Sequence, residues 1–145
     1  MKNAQQYLLS FGIRPSVQRL AIMEYLLTHK THPTADEIFE AIHPFIPTLS
    51  KMTVYNTLNM LSGVGAILAL DIDERNRRFD GDNSFHAHFM CRDCGKIEDI
   101  FIENDTPFAS LVPGGEVDDM QLLLKGRCKK CSKPARNAKA RSKAV

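Results

Sequence analysis

From Val17 the chain repeats apolar residues at helical spacing. Val17, Leu20, Ala21, Met23 and Leu27 gather on one side, and Pro15 stands near the start, where a missing N–H costs little. In HPTADEIFEAI, Thr34 and Glu37 have the spacing of a capping box, each side chain serving the other residue's backbone N–H. Behind them Ala35, Ile38, Phe39 and Ile42 form a single apolar stripe, and His43-Pro44 ends the helix. A third helix is predicted from about Lys51 to Ser62, stopping at Gly63. Val54, Leu58 and Leu61 form its buried seam, while Met52, Tyr55, Asn56 and Asn59 project from the other side. The period then changes. ILALDID and RRFD read as two short strands around the polar turn Glu74-Arg75-Asn76. Three helices followed by a hairpin are the order of a winged helix-turn-helix.

A second pattern begins near Phe85. FHAHFMC alternates with period two, KIEDIFI reads as another strand, and GEVDDMQLLLKG as a third. NDTPFASLVPGG has room for one short helix, weakened by Pro107 and Pro113. Some fifty residues bury little core alone, so this half needs a staple and a partner. The expected fold class is α+β: an N-terminal winged helix-turn-helix over residues 1–82, then a small α/β dimerisation and metal-binding domain with a three-stranded sheet over 83–133.

Composition narrows the class without naming a function. Apolar residues make up 43% of the chain, which suits a globular protein. No apolar run approaches the roughly 20 residues that span a bilayer. The opening MKNAQQYLLSFGIRP lacks the features of a secretion signal, so a cytoplasmic protein with no membrane partner is expected. The net charge of +2 conceals an asymmetry: nine basic and no acidic residues lie from Lys125 onward, against ten basic and seventeen acidic before it. The last stretch, 134–145, is therefore expected to be a disordered basic tail, and the case for nucleic acid must come from motifs rather than from charge.

The four cysteines form two CxxC pairs, Cys91/Cys94 and Cys128/Cys131. Two such turns supply four sulfurs to one tetrahedral ion, so structural Zn(II) is predicted, and Gly95 suits the reversal of a knuckle. A disulfide framework is disfavoured in the cytosol, and a redox pair would need one CxxC in a strand-helix setting. His86 and His88, two apart on a strand, point the same way, while Cys91 has the opposite parity. Asp80 precedes them, and Asp99 lies on the strand expected to pair with theirs. Two imidazoles and two carboxylates suit Fe(II), Mn(II) or Zn(II). By spacing alone, two exposed histidines near unrelated acids remains an equal reading.

HPTADEIF, TVYNTL, RRFD, HAHFMCRDCGK and the closing CKKC stand in the order of the ferric uptake regulator family, which the chain resembles over residues 14–131. The resemblance implies a dimeric repressor without enzymatic turnover, its regulatory metal clamping the two halves into the DNA-binding shape. Carried over residue by residue, that site is His32, Asp80, His86, His88 and Asp99. Iron-uptake members typically carry glutamates where Asp80 and Asp99 stand, whereas the peroxide-sensing branch carries aspartates. In that branch bound Fe(II) reacts with hydrogen peroxide and a ligating histidine is oxidised, releasing metal and DNA; the equivalent candidates are His32 and His86. Mn(II) in the same site represses without reacting. GEVDDMQLLLKGRC has none of the histidines from which many members build a third site, so no third site is expected.

On the third helix Tyr55, Asn56 and Asn59 suit thymine methyl and adenine edges, pointing to an A·T-rich operator palindrome bound by a homodimer. Arg14, Arg19 and Lys51, with Arg75 and Arg77 in the wing, are candidate phosphate contacts. The nearest alternative is an iron- or zinc-uptake regulator on the same fold. A hydrolytic metalloenzyme lacks a placed general base, and a zinc-ribbon adaptor would leave the recognition helix unexplained.

Overall fold

Among the described residues four helices precede the first strand, one more than the periodicity predicts. In the computed structural model, which describes residues 3–73, 75–102, 111–117 and 120–132, these are α1 (Ala4–Ser10), α2 (Val17–Thr28), α3 (Ala35–Ile42) and α4 (Lys51–Gly63). The unforeseen α1 is seven residues long. Asn3 caps it by accepting from the Gln5 N–H at 2.9 Å, and Gly12, at φ 71°, turns the chain out of it. It buries Tyr7 and Leu8, and the Tyr7 hydroxyl donates to the Ala66 carbonyl at 2.5 Å.

The other helices start where local chemistry directs. Ser16 accepts from Arg19 N–H at 3.2 Å to cap α2, and Ser50 accepts from Thr53 N–H at 3.0 Å to cap α4. The capping box of α3 is formed, with Glu37 N–H to Thr34 Oγ1 at 3.2 Å and Thr34 N–H to Glu37 Oε2 at 3.3 Å. On α2, Met23 is buried as expected and Leu20, Ala21 and Leu27 pack partly against the core, but Ile22 and Leu26 are buried more deeply and Val17 is 71% exposed at the first turn. Leu8, Ile22, Met23, Leu26, Ile38, Val54, Leu58, Leu61, Ile67 and Phe79 are at most 1% exposed. Each such side chain contributes about 1.5–3 kcal/mol of burial free energy.

Two three-residue strands, β1 (Leu68–Leu70) and β2 (Arg78–Asp80), form the antiparallel wing, with Leu68 opposite Asp80 and Leu70 opposite Arg78. The first strand is shorter than ILALDID suggests. Asp73 explains this: its Oδ1 accepts from the Arg75 N–H at 2.9 Å, a local turn that competes with the ladder. Glu74, the first residue of the expected turn, lies outside the described residues.

The chain divides into two units between Ser84 and Phe85. The second contains β3 (Ala87–Cys91), β4 (Ile97–Ile100) and β5 (Leu123–Gly126), in spatial order β4-β3-β5. β3 pairs antiparallel with β4, placing His88 opposite Asp99, and parallel with β5, placing Cys91 opposite Gly126. Within the predicted third strand, 115–126, β5 takes the last four residues, and the Leu122 carbonyl before it accepts from the His88 N–H at 3.0 Å. The short helix expected around 104–115 and the basic tail lie largely or wholly outside the described residues. What this unit buries is unusual: among its described residues these are Ala87, Cys91, Cys128, His86 and His88, whereas Phe85, Phe101, Leu111 and Leu124 are exposed. Among those described residues, candidate metal ligands outnumber aliphatic side chains in the buried set. No described helix is long and apolar enough to cross a membrane.

Candidate metal centres and nucleic-acid interface

Cys91 ends β3, and the chain reverses at once: its N–H donates to Lys96 O at 2.9 Å, the Gly95 N–H returns to Cys91 O at 2.8 Å, and Gly95 takes φ 76°. A second tight turn carries Cys128 and Cys131, with Cys131 N–H to Cys128 O at 3.1 Å. The parallel β3–β5 ladder brings the two turns together, supported by Arg127 Nε at 3.2 Å from Asp93 Oδ2. All four cysteines are free of disulfides, and their sulfurs lie within 4.8 Å of one another. A zinc ion with Zn–S bonds of about 2.3 Å requires sulfur–sulfur edges of about 3.8 Å. Cys94 Sγ and Cys128 Sγ are 3.8 Å apart, so the set fits tetrahedral zinc.

The acidity of the thiols agrees. Backbone N–H groups of Cys94 and then Cys128 point at Cys91 Sγ, the latter at 3.3 Å, and hold its pKa down to about 6. Hydrogen bonds with the Cys128 and Cys91 sulfurs push Cys131 up to about 12. Cys91 therefore meets an incoming cation as a thiolate.

The nitrogen and oxygen donors form a pair in the first unit and a trio in the second. In the second, His86 Nε2 is 3.2 Å and His88 Nε2 3.4 Å from the same oxygen, Asp99 Oδ1. Both rings are buried and lie 4.4 Å apart, and His86 also stacks on Phe101 at 5.0 Å. Ligands at about 2.1 Å from a shared ion stand roughly 3.0–3.4 Å apart, octahedral to tetrahedral, so these separations have the size of coordination edges. In the first unit His32 Nε2 is 3.4 Å from Asp80 Oδ2, both residues buried. Asp80 Oδ1 accepts from the Asp82 N–H at 2.9 Å, which fixes the carboxylate with Oδ2 toward the ring. His32 takes φ 54°, the one non-glycine positive φ among the described residues. Such a conformation costs about 1–2 kcal/mol for an L residue and persists only where its surroundings impose it.

The predicted DNA-facing residues sit where the periodicity puts them. Tyr55 (46% exposed), Asn56 and Asn59 line the outer side of α4, with Met52 beside them. A groove of about 710 Å³ runs between the start of α2 and α4, lined by Arg14, Arg19, Thr53, Asn56 and Met60 among others. Arg19 Nη1 donates to Arg14 O at 2.9 Å, so the two arginines share one local structure. Lys51 lies 4.0 Å from Asp36 and over the Phe39 ring at 5.7 Å. Arg75 is exposed at the wing turn, and Arg77 pairs with Asp71 at 3.2 Å.

Two residues that the sequence did not single out stand close to the donors. Arg78 holds the His32 carbonyl, with Nη1 to O at 3.3 Å. Gly81, next to Asp80, lies so near α2 that a methyl group there would meet the Leu26 carbonyl oxygen at 2.6 Å. Gly81→Ala should accordingly lower stability by about 1–3 kcal/mol, as overpacking of a tight contact does. Urea unfolding checks this, and an unchanged midpoint would mean that the segment yields without loss.

The comparisons with known proteins agree with this architecture. Residues 10–106 match the model of the ferric uptake regulator family. The peroxide operon regulator of Bacillus subtilis (strain 168) is 37% identical over 136 residues, 92% of this chain and 94% of that protein. Among solved structures, the peroxide sensor PerR from Streptococcus pyogenes superposes with a TM-score of 0.50 at 29% identity, covering 90% of this chain and 91% of that one. The ferric uptake regulator from Pseudomonas aeruginosa with manganese has a TM-score of 0.70 at 23% identity, covering 89% and 99%, and so shares the fold. The chain belongs to the ferric uptake regulator family, whose members are transcriptional regulators and not enzymes.

Proposed function

We propose that this protein is a metal-dependent, peroxide-responsive transcriptional repressor that acts as a homodimer on double-stranded operator DNA. The observation that carries the reading is the convergence of His86 Nε2 and His88 Nε2 on one oxygen of Asp99, a buried nitrogen and oxygen set with no sulfur in it. With His32 and Asp80 from the first unit, these residues would hold a regulatory Fe(II) or Mn(II), and the four cysteines a structural Zn(II). The relatives support the choice of signal: proteins 35–37% identical to this one are named as peroxide regulators. Bound Fe(II) would supply one-electron chemistry toward peroxide, which Mn(II) would not. The chain's own part is to hold that metal against oxidisable imidazoles, His32 and His86, and to spend its release on losing the DNA-binding shape.

Homodimerisation follows from what the second unit lacks. Phe85, Phe101 and Leu124 are exposed beside a sheet with almost no aliphatic interior, and a second copy would cover them. For DNA, α4 would enter the major groove with Tyr55, Asn56 and Asn59 toward base edges of an A·T-rich palindrome. Arg14 and Arg19 at the groove beside it, Lys51, and Arg75 and Arg77 in the wing would meet phosphates.

The test is an operator shift assay with and without Mn(II). Affinity should rise with metal, and Tyr55→Ala or Asn56→Ala should each weaken operator binding by about 1–3 kcal/mol with loss of sequence preference and unchanged metal content. Metal-independent binding, or full affinity in both variants, would remove the reading.

A further inference from the structure

We propose that Arg78 is the positioning residue that joins the wing turn to the loop carrying His32, so that metal at His32 and DNA at the wing act on one rigid body. The proposal rests on the reading of His32 and Asp80 as metal ligands. It starts from β2, whose alternation puts Arg78 and Asp80 on the same face. Asp80 presents Oδ2 to the His32 ring, while Arg78 takes hold of the His32 backbone. Between them, the Phe79 N–H donates to Pro33 O at 3.0 Å, and Thr34 bridges to Arg78. The strand thus grips residues 32–34 from both ends, which accounts for a histidine held at φ 54°.

The guanidinium does more than fix that loop. Its Nε and Nη2 donate to Asp73 Oδ2 at 3.3 and 3.1 Å, and Nη1 lies 3.5 Å from Glu37 Oε1, in the capping box of α3. Asp73 uses its other oxygen on the Arg75 N–H, shaping the wing turn, and that amide together with Arg78 keeps its pKa below the usual carboxylate value. Arg78 is only 22% exposed in its side chain, so the planar fork is committed to these acceptors rather than to solvent. A shift of the His32 carbonyl moves the group that orders the wing, and a shift of the wing moves the His32 carbonyl. Linkage makes the effect reciprocal: whatever factor metal adds to operator affinity, operator DNA adds to metal affinity.

The experiment uses full-length, zinc-loaded protein, titrated with Mn(II) by electron paramagnetic resonance of the free ion, with and without operator DNA. Arg78→Ala should lower Mn(II) affinity tenfold or more and shrink the mutual enhancement of Mn(II) and operator, with zinc content unchanged. Arg78→Lys should fold and keep its zinc without restoring the enhancement, because an ammonium cannot span the separate acceptors. Asp73→Asn, altered only at the wing, should reduce the enhancement as well, and it carries the test if Arg78→Ala does not fold. Wild-type enhancement in Arg78→Ala or in Asp73→Asn overturns the proposal. Wild-type protein that binds no Mn(II) beyond its zinc overturns instead the reading of the site on which it rests.

Discussion

Cys128→Ser should empty the four-cysteine site and unfold the second unit, with zinc falling from one ion per chain to almost none and dimers giving way to monomers. The reason is the composition of that unit. Its buried residues, among those described, are chiefly candidate ligands, so the ion would carry much of what holds the β4-β3-β5 sheet. Binding of zinc in small modules of this kind is worth about 10–16 kcal/mol near neutral pH, and most of that is folding free energy. The loss should be local: the first unit has its own aliphatic core, from Leu8 to Phe79. Far-ultraviolet circular dichroism should keep its helical signal, while elemental analysis and sedimentation report the missing zinc and dimer. A variant that retained both would show that the sulfurs serve another purpose.

The second large effect concerns the signal. Protein loaded with Fe(II) should lose operator DNA after brief exposure to hydrogen peroxide, with one oxygen added to His32 or His86. Protein loaded with Mn(II) should keep both its DNA and its histidines. The expectation rests on the proposed site: His86 lies 3.2 Å from Asp99 and His32 3.4 Å from Asp80, so Fe(II) held by these groups would supply its one-electron chemistry beside buried imidazoles. Asp99→Glu should preserve metal-dependent repression while blunting the response, since the longer side chain shifts the carboxylate that both rings face. Tryptic mass spectrometry on the two metal forms, run beside the operator shift, decides the matter. Fe(II) protein that keeps its DNA and gains no oxygen would turn the assignment to a metal-uptake regulator.

Much of this was legible in the chain because the chemistry involved is local. Thr34 and Glu37 announce their capping box within four residues, and Val54, Leu58 and Leu61 give the buried side of α4 by spacing alone. The parity of His86 and His88 followed from the alternation of a strand. What stayed hidden depends on distant partners. A seven-residue α1 carries too few apolar positions to show a period, and its fixing contact runs from Tyr7 to Ala66. Val17 looked like core because the start of α2 repeats apolar residues, yet its side chain is left 71% exposed while Leu20 turns toward the core. Arg78 drew no reading beside Arg77, since the carbonyl it holds lies 46 residues away in sequence. The parallel direction of β5 was equally silent, because a strand's sequence does not state the direction of its neighbour.

The alternation of β3 has a consequence for how two metals coexist in so small a unit. His88 and Cys91 are three residues apart, about 10 Å along an extended strand, and their opposite parity turns them to opposite faces. The backbone between them works as insulation: borderline nitrogen and oxygen donors on one side, soft sulfur on the other, with neither set able to complete a mixed polyhedron. Were each set to take its own ion, as proposed, the strand would offer two metals different donors while keeping those donors apart. A register slip of one residue would exchange the two faces and part His88 from Asp99 and Cys91 from Gly126, so the placing of both donor sets depends on those pairings.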